Sequence, residues 1–268
     1  MIKVNDEIVH FSHFNDGSCR VQIKVPLSNN VNITWLYDND TELLYLYYTV
    51  QHLRANFAHV CNLIMPYVPN GRMDRTRHEE EVFTLKYSCE LINSLGFKRV
   101  IIFDPHSSVT PALLNNVIVR DPSKEIMFVL SKLPNALVFM PDEGSMKRIS
   151  HFINVPYAFG VKERDWETQK INSLRIAGAA RHQIAGHDIL ICDDILSRGS
   201  TIYSAAKQLK DMGANNIYVY VSHCEDTVLE PNINDQSLLD IPDLITKVYT
   251  TNSIFTASHP KIEIIREF

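Results

Sequence analysis

The chain carries 268 residues, 45% of them hydrophobic and 21% charged, with a formal charge of −5. That balance excludes a disordered chain, and the acidic excess argues against a broad nucleic-acid surface built from clustered Lys and Arg. Nine glycines and twelve prolines exclude collagen-like and low-complexity chains. The length allows one large α/β domain or two of about 130 residues each. No apolar run reaches the roughly 18 residues of a membrane span, and MIKVNDEIVH lacks a signal-like stretch. The expectation is a cytoplasmic protein without membrane or nucleic-acid partners. Cys19, Cys61, Cys89, Cys192 and Cys224 are odd in number, widely spaced and without a CxxC pair. They read as small buried hydrophobes in a reducing compartment rather than as zinc ligands or disulfides.

In chain order, HFNDGSCRVQI sets Phe14 beside Asp16-Gly17 and reads as a β-turn. Asp38-Asn39-Asp40 is a start signal for a helix over Glu42–Asn56, with Leu43, Leu46, Tyr47, Val50, Leu53 and Arg54 at helical spacing. The strand CNLIMPY leads into a polar loop, PNGRMDRTRHEEE. The next helix places Val82, Leu85, Cys89, Ile92 and Leu95 on one face. Its first turn holds Glu79, Glu80 and Glu81, where the helix dipole favours anions.

Two segments share one plan: CELINSLGFKRVIIFDPH, from Cys89 to His106, and AKQLKDMGANNIYVYVSH, from Ala206 to His223. Each is a helix end, a glycine suited to the left-handed position (Gly96 or Gly213), an apolar β-rich run, and a histidine ten positions after the glycine. With strands and helices alternating throughout, this suggests a duplicated α/β domain divided near Ser131 to Ala136.

The second half reads as strand and turn in ALVFMPDEGS, strand and loop in DILICDDILSRGST, and helix over Ile202–Met212. The middle segment carries the chemistry. Its apolar run ends in paired carboxylates, Asp193 and Asp194, and ILSRGST then opens a helix. Ligands in open α/β sheets sit at the carboxyl ends of strands. Backbone N–H groups of Arg198, Gly199, Ser200 and Thr201, with two hydroxyls, can ring a phosphate while the acids accept from sugar hydroxyls. An ordinary strand–turn–helix with an N-capping Ser or Thr is the bland alternative.

The segment resembles the phosphoribosyl-pyrophosphate motif of type I phosphoribosyltransferase folds, two acids followed by a small-residue loop ending in Gly-x-Thr. Further motifs resemble those of ribose-phosphate diphosphokinases: HFNDGSCRVQI their adenine hairpin, MPYVPNGRMDR their ATP loop, IIFDPH their Asp-Leu-His strand end, MPDEGSMKR their Pro-Asp-x-Gly turn, and VKERD the start of their catalytic flexible loop. These six motifs run in family order from Phe14 to His223. The resemblance implies two tandem type I phosphoribosyltransferase-like domains, residues 1–133 on the ATP side and 134–268 for ribose phosphate, each a mainly parallel sheet flanked by helices.

It further implies Mg²⁺-dependent transfer of diphosphate from ATP to the anomeric hydroxyl of ribose 5-phosphate, feeding nucleotide and NAD synthesis, in a homodimer or higher homo-oligomer. By the resemblance, Lys162, Arg164 and His106 are catalytic. Phe14, Asp16, Ser18, Arg72, Met73, Asp74 and His106 bind ATP, and His106 and Asp142 meet the metal. Asp193, Asp194, Ser197, Arg198, Gly199, Ser200 and Thr201 bind the ribose phosphate. By themselves the same residues also fit a strand-end histidine at His106, a turn cap at Asp142, solvated charges in the ATP loop, and an exposed loop at Lys162 and Arg164.

This chain departs from the family at Ser18, where Glu is usual, at Met73, where Gln is common, and at Arg198-Gly199-Ser200-Thr201, where Thr-Gly-Gly-Thr is usual. Its stretch from Lys162 to Asp193 is longer, and it ends soon after its last strand, which bears on the usual hexamer and allosteric nucleotide site. Arg198 leaves open a larger acceptor such as ADP-ribose, whose second phosphate needs a second cation. A phosphoribosyltransferase is disfavoured by the N-terminal ATP set. A non-catalytic regulatory relative is disfavoured by the presence of His106, Lys162 and both acids.

Overall fold

The structure, a computed structural model, describes residues 1–23, 30–56, 59–164, 171–178 and 181–268; the side chains of 60, 61, 162–164, 171–175, 181 and 182 lie outside the description. The chain forms two compact units, Met1–Arg120 with Phe268, and Asp121–Glu267.

The first unit runs β1 (Ile2–Val4), β2 (Glu7–Ile8), β3 (His10–His13), β4 (Cys19–Gln22), β5 (Asn30–Trp35), α1 (Thr41–Ala55), β6 (His59–Met65), α2 (Thr84–Ser94), β7 (Arg99–Phe103), α3 (Val109–Leu113) and β8 (Val117–Arg120). Its six-stranded sheet has the order β2-β1-β5-β6-β7-β8. The strands from β5 to β8 are parallel, and β1 is antiparallel to β5 and to β2. Period-two alternation sends Val31, Ile33 and Trp35 to one face, together with Leu63, Met65, Val100 and Ile102. Leu46, Val50 and Leu53 of α1, and Leu85, Cys89 and Ile92 of α2, join them in one buried cluster. Each such side chain contributes about 1.5–3 kcal/mol by leaving water.

Helix α1 lies within one residue of its expected bounds, but its buried stripe is rotated by about one position. Tyr45 and Thr49 are buried, whereas Tyr47 is 41% exposed. The cause is Glu42. Its carboxylate turns inward to accept from Trp35 Nε1 at 2.8 Å and the Asp38 N–H at 2.9 Å, and it also meets the N-terminal amine. A buried acid fully bonded in this way occupies the stripe that pattern alone assigns to Leu43. Helix α2 begins at Thr84, so Val82 is outside it and 58% exposed, and the three acids precede the helix. Glu81 instead closes a local turn by accepting the Arg77 N–H at 2.6 Å. Gly96 and Gly213 do take the left-handed conformation after their helices, with φ of 58° and 93°.

The second unit contains α4 (Ser123–Lys132), β9 (Leu137–Met140), α5 (Glu143–Ile149), β10 (Tyr157–Arg164), β11 (Ile171–Ala177), α6 (Arg181–Ile184), β12 (Ile189–Leu196), α7 (Ser200–Asp211), β13 (Ile217–Cys224), β14 (Lys247–Thr251) and β15 (Ile262–Arg266). Its seven-stranded sheet has the order β11-β10-β9-β12-β13-β14-β15, parallel except for β10 with β11. Both units are thus mainly parallel sheets with flanking helices. Helix α4 groups with the second unit, ahead of the division expected at 133, because Ile126, Val129 and Leu130 bury against Val138, Met140 and Tyr249. Among the described residues, no helix is long and apolar enough to cross a membrane.

Candidate active site

Strand β12 carries the acid pair. Ile189, Leu190, Ile191 and Cys192 are fully buried. The strand does not end at the acids as expected: Ile195 pairs with His223 and Leu196 with Cys224, so the loop before α7 is only Ser197, Arg198 and Gly199. Asp194 is buried and Asp193 nearly so. Both face Arg148 of α5, whose Nη1 lies 3.1 Å from Asp194 Oδ2 and whose Nη2 lies 3.5 Å from Asp193 Oδ1. Burial pushes the Asp193 carboxyl well above the usual range, the charge of Asp194 adds to this, and Arg148 offsets only part. Sequence reading assigned Arg148 no role. Its only signal was its place six residues after Asp142 in MPDEGSMKR.

Asp142 caps α5. Its Oδ1 accepts the Ser145 N–H at 2.9 Å, and Ser145 Oγ bonds back to the Asp142 N–H at 3.2 Å, a reciprocal capping box. The local alternative, a cap, is therefore realised. The Asp142 charge also acts on Asp193, so turn and acid pair share one electrostatic neighbourhood.

The loop ends in Gly199, whose φ of 83° favours glycine; a Cβ there would lie 2.7 Å from Leu238 Cδ2. Gly199 directly precedes α7, so the first N–H groups of a 12-residue helix open beside it. Thr201 is exposed, and Ser200 Oγ accepts from Asn232 Nδ2 at 3.0 Å. Two other loop residues are engaged elsewhere. Ser197 Oγ donates to Glu225 Oε2 at 2.6 Å, and Arg198 Nη2 pairs with Glu230 Oε2 at 2.6 Å on the surface.

In the first unit, the ATP-like loop folds back on the strand end after β7. Asp104 is buried with φ of 37°, and His106 follows, exposed. A Cβ on Gly71 would lie 3.8 Å from His106 Cβ, an ordinary van der Waals contact, which places the loop beside this strand end. Asn70 anchors the loop to α2 through Ser88 Oγ at 3.0 Å. Burial raises Asp74, but bonds from Arg75 and Ser107 and the nearby His106 together hold it below the usual carboxylate range. The structure thus gathers Gly71, Asp74, His106 and Ser107. Asp74 forms an ion pair with Arg75 at 2.9 Å. Arg72 is exposed and Met73 half-buried in the same loop.

No family model matches the chain. Curated relatives named ribose-phosphate pyrophosphokinase do. The protein of Saccharolobus solfataricus is 25% identical over 231 residues, 83% of this chain and 77% of the relative. That of Helicobacter hepaticus is 27% identical over 271 residues, 95% of this chain and 82% of the relative. The chain is a homologue of the ribose-phosphate pyrophosphokinases. The crystal structure of phosphoribosylpyrophosphate synthetase from Mycobacterium smegmatis matches with a TM-score of 0.76 at 18% identity, covering 96% of this chain and 85% of that one. That likeness agrees with the fold of two phosphoribosyltransferase-like domains.

Against the ribose-phosphate pyrophosphokinase motifs, the adenine-like hairpin is β3 and β4 with its turn at Phe14–Ser18. Phe14 is 57% exposed at the tip. Asp16 Oδ1 accepts from the Ser18 hydroxyl at 2.6 Å and the Ser18 N–H at 2.9 Å, which holds its carboxyl below the usual range. Ser18 therefore braces Asp16 within the turn. The backbone of Lys162 and Arg164 lies on β10, paired with β11 in an antiparallel arm where a simple exposed loop was the alternative, with a register shift between Glu163 and Arg164. The side chains of Lys162 and Arg164 lie outside the described residues.

Proposed function

We propose that this chain transfers the diphosphate of ATP to the anomeric hydroxyl of ribose 5-phosphate, giving phosphoribosyl pyrophosphate and AMP. The observation that carries the reading is the acid pair on β12, followed by a three-residue loop whose left-handed Gly199 opens the N-terminus of α7. Asp193 and Asp194 accept hydrogen bonds from the ribose hydroxyls. The N–H groups at Ser200 and Thr201, with the Thr201 hydroxyl, take the 5-phosphate, where the helix dipole favours an anion. Keeping acids and amides apart lets sugar and phosphate each meet a suitable partner. The anomeric oxygen forms its bond to the β-phosphorus as the bond from that phosphorus to the bridging oxygen breaks. AMP leaves with that oxygen, and the hydroxyl proton passes to water. His106 and the Lys162–Arg164 arm supply charge to the transferring phosphates.

No group of three or more His, Cys, Asp or Glu that could hold a metal occurs among the described residues. Mg²⁺ keeps several waters and takes phosphate oxygens with one or two protein ligands, so it would arrive with the triphosphate. Within the first unit His106 would offer such a ligand, and within the second the Asp142 carboxylate would. The ion would neutralise phosphate charge.

The name of the curated relatives supports ribose 5-phosphate as the acceptor. A diphosphate-bearing acceptor at Arg198, whose pair with Glu230 lies exposed on the surface, is the second reading. Incubation with ATP, Mg²⁺ and either ribose 5-phosphate or ADP-ribose, followed by mass analysis, tests the reading. The expected products are AMP and phosphoribosyl pyrophosphate, and none without a divalent metal. ADP as the sole nucleotide product would make this an ordinary kinase; turnover of ADP-ribose alone would establish the larger acceptor.

A further inference from the structure

We infer that Arg148 is a positioning residue that holds Asp193 and Asp194 together as one acceptor-binding unit, an inference that rests on the acceptor site proposed above. Consecutive strand residues alternate faces, so two adjacent acids ordinarily point apart. Burial shows that alternation in β12: Leu190 and Cys192 pack in the cluster with Ile149, whereas Ile189 and Ile191 pack in the cluster on the other face. Beyond Cys192 the alternation is broken, since Leu196 returns to the cluster of Ile189 and Ile191, and both acids meet Arg148 of α5.

Two features let one guanidinium serve both. The pairing of β12 with β9 stops at Ile191, opposite Phe139, so the edge at Asp193 is not closed by β9. Asp193 Oδ1 also folds back to accept the Asp194 N–H at 3.0 Å, which brings it within 3.5 Å of Arg148 Nη2. The helix that carries Arg148 is itself anchored at both ends. The Asp142–Ser145 capping box sets the start of α5, and fully buried Ile149 pins its end one residue after Arg148. A planar fork with two separated nitrogens spans two carboxylates, which a single ammonium does not.

Without Arg148, two neighbouring acids with little access to water would repel, and their spacing would no longer be set. Arg148→Gln is expected to raise the KM for ribose 5-phosphate more than tenfold, with the KM for ATP changing less than threefold. Arg148→Lys, which keeps the charge but not the fork, is expected to recover only part of the loss. Thermal protection by ribose 5-phosphate without ATP reads binding apart from turnover and should shrink in step. Equal rises in both KM values, or full recovery with Lys, would overturn the positioning role. Asp193→Asn separates the two levels of the argument. If it leaves acceptor KM unchanged, the acceptor-site reading itself fails. If it raises that KM while Arg148→Gln does not, only the role of Arg148 fails.

Discussion

At the scale of single residues, Gly199 and Thr201 separate shape from binding. Gly199 has φ of 83°, and a Cβ would meet Leu238 Cδ2 at 2.7 Å. The left-handed conformation alone costs an L-residue about 1–2 kcal/mol. Gly199→Ala should therefore lower the unfolding free energy by at least about 1 kcal/mol in a urea titration, and an unchanged midpoint would contradict the geometry. Thr201 is exposed in the first turn of α7, so its hydroxyl is open to a ligand while its packing counts for little. Thr201→Val should leave stability within about 0.5 kcal/mol. It should raise the KM for ribose 5-phosphate well above any change for ATP, as steady-state kinetics would register.

Among the elements, strand β15 at the sheet edge is tied down by charge. Glu263 bonds Lys132 of α4 at 2.5 Å and also meets Lys247 of β14, and Arg266 bonds Glu125 of α4 at 2.5 Å. The bonds from Lys132 and Lys247 hold Glu263 below its ordinary value of 4.5. A carboxylate with a lowered folded-state pKa stabilises the fold above its unfolded value and loses that contribution as pH falls through the folded value. Stability should thus decline below about pH 4.5, and Glu263→Gln should flatten that part of the decline. Matching melting curves for both proteins from pH 6 to pH 3 would remove this role from Glu263. The pairs are partly exposed, so added salt should shrink the difference.

For the whole molecule, the proposed mechanism assigns charge to one residue of each unit. His106 stands in the first unit at the strand end after β7, and Lys162 stands in the second on β10. Charge placed beside transferring phosphates acts mainly in the transition state. His106→Ala and Lys162→Ala should each lower kcat more than tenfold, with circular dichroism and melting temperature close to the parent protein. Normal turnover in either variant would remove that residue from the mechanism.

The alternation of apolar runs with amphipathic helices, the left-handed glycines after them, and the acid pair before a small-residue loop were all legible in the chain itself. They depend on neighbours within a few residues, where backbone stereochemistry and side-chain period dominate. What pattern missed involved partners distant in sequence. Glu42 rotated the buried face of α1 because Trp35 and the Asp38 N–H satisfy its carboxylate. Leu196 extended β12 past the acids because Cys224 of β13 lies opposite it. Arg148 entered the site from a helix 45 positions before Asp193, where no local spacing announces it. Residue order determined which acids, amides and hydroxyls the candidate site contains. Only the tertiary structure decided how they are shared, because a buried charge is stable only where the fold delivers its partner.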